Sequence, residues 1–147
     1  MLESPSRRAL VSTATLTTDR IEIAELFARL ANLLDDGRYD DVHTVYHPDV
    51  VVHSPLGGQL HGLDEVASYL KRSQVAGEQT LHVHGDVLVH VNGEQAEASA
   101  NQLVHRYRDG APPHQTSGVR VACTAVRTSA GWRISQLRIT LAWTHEQ

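Results

Sequence analysis

The chain has 147 residues, a formal charge of −4 and one cysteine, Cys123. That length suits a single domain, which buries roughly two-thirds of its unfolded surface without a disulfide or metal staple. A lone cysteine excludes an internal disulfide and fits a reducing cytoplasm, the expected location. The scattered basic residues offer nucleic acid no stripe, and no apolar run approaches the roughly 18–20 residues of a membrane span.

Residues 1–19 carry Arg7 and Arg8 followed only by Ala9-Leu10-Val11, too short for a signal-peptide core. They read as a flexible tail ahead of one domain at 20–147. Asp19 and Glu22 have capping-box spacing, and Ile23, Leu26, Phe27, Leu30, Leu33 and Leu34 then form one apolar helical stripe. The helix should stop at Asp36-Gly37, where glycine accepts a left-handed cap. A second short helix is predicted around Val42, Val45 and Tyr46, ended by Pro48. Val50 to Ser54 reads as a strand broken by Pro55 and Gly57-Gly58, and Leu63, Val66, Ala67 and Leu70 mark a third helix.

From Leu81 onward the pattern is that of strands. Leu81–Val91 and Glu94–Tyr107 flank Asn92-Gly93, a strong hairpin signal. Asp109 to Ser117, with Gly110, Pro112 and Pro113, is a loop. Gly118–Arg127 and Trp132–Trp143 make a second hairpin. Helices first and an antiparallel meander afterwards give an α+β class, with helices on one face of the sheet.

A two-residue Asn92-Gly93 loop would place Val91 opposite Glu94 and His82 opposite Leu103. His82, His105, His84, Asp86, Ser99, Asn101 and Tyr107 would then share one face, with the two histidines diagonal neighbours roughly 7–8 Å apart. Val83, Val87, Val89, Val91, Ala96, Ala98 and Ala100 would occupy the other. Periodicity leaves open which face is core, and a β-bulge would shift the register and separate the histidines.

Several runs together resemble the SnoaL-like branch of the nuclear transport factor 2-like superfamily. They are Leu34 to Asp40 closing the first helix, His47-Pro48-Asp49-Val50-Val51, Gly62-Leu63-Asp64-Glu65, His82, Val91 to Ala96, and Gly131-Trp132-Arg133-Ile134. The resemblance covers about residues 20 to 143. It implies a cone-shaped, curved antiparallel sheet that encloses a pocket with about three N-terminal helices, and it favours the polar face as the pocket lining.

Within that superfamily the sequence is most similar in function to scytalone dehydratase, whose catalytic aspartate and two histidines fall on Asp35, His82 and His105. Its two pocket tyrosines fall on Leu34 and Ser54, and its pocket amide falls near Val121-Ala122, so the substrate is expected to differ. The ketosteroid isomerase aspartate falls on Ser54, and that mechanism is not carried over. The limonene-epoxide-hydrolase set is echoed only by Asp35 and Arg120.

An imidazole is available in both protonation states near neutral pH, which suits His82 and His105 to acid–base work, with Asp35 expected to hold His105 in one tautomer. Ser54, His53, Tyr46, Asn101 and Arg120 are the expected substrate-binding residues, and His61 is a further rim candidate. His84 makes a His-x-His pair with His82, but nothing completes a metal set, so no metal and no cofactor are expected. Cys123 reads as an inert buried thiol.

The reading is therefore a cofactor-independent dehydratase, isomerase or cyclase on a small carbonyl compound of polyketide or other secondary-metabolite type. The alternative is a non-catalytic ligand- or partner-binding module of the same fold. A small-molecule substrate and a homo-oligomer, dimer or trimer, are the expected partners.

Overall fold

The computed structural model describes residues 5–147, with side chains from Thr15 onward. Helix α1 (Pro5–Asp35) is followed by a 3-10 turn at Tyr39–Thr44, strands β1 (Tyr46–Ser54) and β2 (Gly58–His61), helix α2 (Gly62–Arg72), and strands β3 (Glu78–Asn92), β4 (Gln95–Arg108), β5 (Gln115–Thr128) and β6 (Gly131–Glu146). The six strands form one curved, unclosed sheet in the order β2-β1-β6-β5-β4-β3. Neighbours are antiparallel except β1 and β6, which run parallel.

The stripe Ile23, Leu26, Phe27, Leu30 and Leu33 is buried against the inner face of the sheet, as three-and-four spacing requires. Opposite it stand Ala96, Ala98, Ala100, Val104, Val119, Val121, Cys123, Ala125, Trp132, Ile134 and Leu137. The helix ends where Gly37 takes φ +69. Arg38 N–H then donates to Leu33 O at 2.9 Å and Gly37 N–H to Leu34 O at 3.2 Å, a Schellman closure that leaves Asp35 in the last turn.

Four sequence expectations are corrected. First, α1 starts at Pro5 and not at Asp19, so the expected tail 1–19 is helical from Pro5; residues 1–4 lie outside the described residues. Asp19 is no N-cap. It is buried, and its carboxylate accepts from Trp132 Nε1 at 3.1 Å and Arg127 Nη2 at 2.7 Å. Second, the short helix expected around Val42–Tyr46 is a 3-10 turn, and β1 starts at Tyr46. Pro48 is tolerated because ladder pairing with β6 is interrupted between Tyr46 and Val51, where its missing N–H is not needed. The Gly57-Gly58 break also turns the chain back into β2.

Third, Asn92 pairs with Gln95, so the hairpin loop is Gly93-Glu94 rather than Asn92-Gly93. Only Gly93 has positive φ there, +65, so glycine takes the first central position that a type II′ turn demands. Fourth, a bulge at Asp86-Val87, with Asp86 at φ +52, moves the register once more. Val104 therefore lies opposite His82, and His105 lies opposite Leu81.

The bulge divides β3 in two. Near the turn, Val89 and Val91 face inward beside Ala98 and Ala96; beyond it, His82 and His84 face inward beside Val104 and Gln102. On β4 the even-numbered residues face inward throughout. The apolar face is core on one side of the bulge, and the histidine face is inner on the other.

Candidate active site

Asp35, at the end of α1, binds the start of β3 through three hydrogen bonds. Its Oδ1 accepts from Thr80 Oγ1 at 3.0 Å and pairs with His82 Nδ1 at 2.6 Å, and its Oδ2 accepts from the backbone N–H of His82 at 3.0 Å. The two side chains are 14% and 13% exposed. An ionised carboxylate can only accept, so Nδ1 carries the proton, and in the neutral ring Nε2 then presents its lone pair. Among the described residues no hydrogen bond reaches Nε2. Nor does any buried side-chain nitrogen or oxygen among them lack a partner, so Nε2 reaches accessible space. An imidazole held in one tautomer and one orientation is the arrangement that proton abstraction needs.

His84 stands next on the same face, its ring centroid 5.6 Å from that of Phe27 with the planes tilted 49°. Burial holds its imidazole below the usual histidine range; the nearby His82 adds to that effect and Asp35 opposes it. Val104 and Ser117 continue the His82 row, and Gln102 and Val119 continue the His84 row.

His105 is not part of this group. It sits on the outer face, where its Nδ1 is 2.9 Å from Thr116 Oγ1, because β4 alternates without a break while the bulge in β3 turns His82 to the inner face. The expected pairing of two histidines on one face, with Asp35 orienting His105, is thus replaced by a pairing of His82 with Asp35. The five expected binding residues are placed elsewhere too. Tyr46 lies in the core, where burial pushes its phenol well up. Ser54 Oγ accepts the Gly57 N–H at 3.3 Å and closes the β1–β2 turn. Asn101 is exposed on the outer face and donates to Asp86 Oδ2 at 3.0 Å, which ties down the bulge.

His53 and Arg120 line two separate outer grooves. One, of about 450 Å³, combines His53 with Leu88, His90 and Arg138; the other, of about 430 Å³, combines Arg120 and Asn101 with Val83, Leu103 and Trp143 and also touches His84. None of the five hydrogen-bonds to Asp35, His82 or His84.

Sequence reasoning missed Thr80, although period-two spacing from His82 places it on the same face. It also missed the approach of Phe27 to His84, a contact between α1 and β3 that no local pattern carries. Among the described residues no cluster of three or more His, Cys, Asp or Glu is placed to hold a metal ion.

An N-terminal helical layer on a curved, unclosed sheet defines a cone of the nuclear transport factor 2-like class. Residues 15–138 match the SnoaL-like domain, and the chain belongs to that family. An uncharacterized protein of Mycobacterium tuberculosis is 29% identical over 133 residues, 86% of this chain and 87% of its own length. Among solved structures, a protein provisionally named a scytalone dehydratase, from Novosphingobium aromaticivorans, superposes with a TM-score of 0.79 at 14% identity, covering 92% of this chain and 91% of that one. The hexachlorocyclohexane dehydrochlorinase LinA-type3 of Novosphingobium barchaimii gives 0.77 at 10% identity, over 89% and 91%. At such identities these likenesses concern the fold.

Proposed function

We propose that the chain is a cofactor-independent enzyme in which His82, oriented by Asp35, removes a proton α to the carbonyl of a small, partly apolar substrate. The observation that carries this reading is the 2.6 Å contact of His82 Nδ1 with Asp35, which leaves Nε2 unbonded and accessible. Elimination comes first among the outcomes, ahead of isomerisation and ring closure. The names of the two structural relatives, a dehydratase and a dehydrochlorinase, both denote eliminations. An elimination also asks least of a site with one firmly oriented base: the abstracted proton stays on His82 while the electron pair expels the β-substituent. Polyketide-like carbonyl compounds are the substrate class this favours.

The test is deuterium exchange at the α-carbon of a panel of β-hydroxy ketones in D2O, followed by proton NMR. Wild type should exchange and eliminate while His82→Ala should not. Equal exchange by both would end the proposal.

Self-association is inferred from the other side of the sheet. Leu81, Val83, Leu103 and Trp143 are exposed together on the outer face, and a patch of that kind calls for a cover. A second copy of the chain is the occupant proposed.

A further inference from the structure

A second imidazole stands beside the dyad without a protein partner. His84 follows His82 by two positions on the inner face, so their backbones are about 6.6 Å apart along β3. Its ring is set against Phe27, itself buried two helical turns before Asp35. Among the described residues no hydrogen bond or ion pair engages either ring nitrogen, and no buried side-chain nitrogen there lacks a partner. Both nitrogens of His84 therefore reach accessible space, as Nε2 of His82 does.

We propose that His84 is the substrate-polarising group of this site: as a neutral imidazole, its ring N–H donates to the carbonyl oxygen that becomes an enolate oxygen when His82 takes the α-proton. The proposal rests on His82 being the base, and it places the substrate oxygen on the Phe27 side of the dyad. The α C–H bond breaks toward His82 Nε2, its electron pair moves into the new C=C bond, and the carbonyl π pair moves onto oxygen.

Neutrality follows from the surroundings. Burial disfavours a charge on His84, and a protonated His82 two positions away disfavours a second one, against a smaller opposing pull from Asp35. A neutral imidazole still offers one N–H, and such a donor polarises a carbonyl without competing for the abstracted proton.

The experiment uses the full chain and 4-nitrophenol, whose phenolate oxygen stands in for an enolate oxygen. Binding is followed by the 15N resonances of the histidine rings and by phenolate absorbance. Wild type should bind the probe and shift the His84 ring signals. His84→Phe, which keeps the contact with Phe27, should weaken binding roughly tenfold at unchanged Tm, whereas His84→Gln, which keeps a donor, should stay within about threefold. Failure of wild type to bind, equal binding by His84→Phe, or equal losses in both variants would overturn the proposal. Should His84→Phe not fold, an unmoved His84 resonance in wild type overturns it as firmly.

Ionisation of the bound probe reports on His82 separately. If it disappears in His82→Gln while His84→Phe binds like wild type, the base stands and the His84 proposal falls. If His84 responds but the bound probe never ionises, the proton-abstraction reading falls instead.

Discussion

At the scale of single residues, the division between the two histidines gives the sharpest test. His82 is held by a carboxylate on one nitrogen and open on the other, whereas His105 is on the far side of the sheet against Thr116. His82→Ala should lower kcat on any accepted substrate by at least about 10²-fold with little change in Tm, since a positioned acid–base group supplies 10²–10⁴-fold. His105→Ala should leave kcat within about twofold, because it removes only one outer-face hydrogen bond. Measuring both on the same substrate decides between the observed register and the one that Asn92-Gly93 suggested. Asp35→Asn should mimic His82→Ala in kcat, as an amide no longer selects the Nδ1–H tautomer. Cys123 makes the opposite kind of prediction. Burial pushes its thiol up to about 12, so a disulfide reagent at pH 8 should leave it unmodified in the native state and label it on unfolding.

At the scale of elements, most of the outline was legible and the one decisive displacement was not. The apolar stripe from Ile23 to Leu33, the glycine stop at Gly37 and the strand runs after Leu81 all follow from local periodicity, because one buried face selects them. The bulge does not. Two residues, Asp86 and Val87, oppose the partner strand where none of the usual glycine marks the left-handed position, and Asp86 occupies φ +52 with Asn101 bonded to its carboxylate. That bond bridges two strands and has no local signature. Asp86→Val, β-branched at a left-handed position, should cost about 1–2 kcal/mol in a denaturant titration, and Asp86→Gly far less.

The same difference between local and distant partners explains Asp19, which looks like a cap in sequence and acts as a tether in structure. The hydrogen bond from Arg127, which also lies 4.7 Å over the Trp132 ring, holds its carboxyl below the ordinary value of 3.8. A folded-state pKa below the unfolded one gives stability that is present above the unfolded value and lost as pH falls through the folded one. Asp19→Asn should therefore lower Tm by several degrees at pH 7. The gap to wild type should close as the pH drops below 3.8.

At the scale of the whole molecule, the family motifs placed the helices and the sheet because their order survives even where each run is short. They did not decide which residues look inward, since that depends on strand register summed across the sheet. The outer face carries the consequence. The shifted register sets Leu81 and Val83 outward beside His105 and Leu103, and Gly118 leaves room for the Trp143 ring, which a Cβ there would run into. An apolar surface of this kind, bordered by Asn101 and Arg120, has the anatomy of an interface, with an apolar centre and a polar rim. Sedimentation equilibrium on wild type should give a dimer or trimer. A glutamate at Leu103 would be solvated in a monomer but desolvated in the assembly, so Leu103→Glu should sediment as a monomer with an unchanged circular-dichroism spectrum. A monomeric wild type, or a Leu103→Glu variant that still assembles, would show that this face is left to solvent or covered by a different partner. Retention of α-proton exchange by the monomeric variant would add that the dyad is complete within one chain, as the contacts of Asp35 with Thr80 and His82 require.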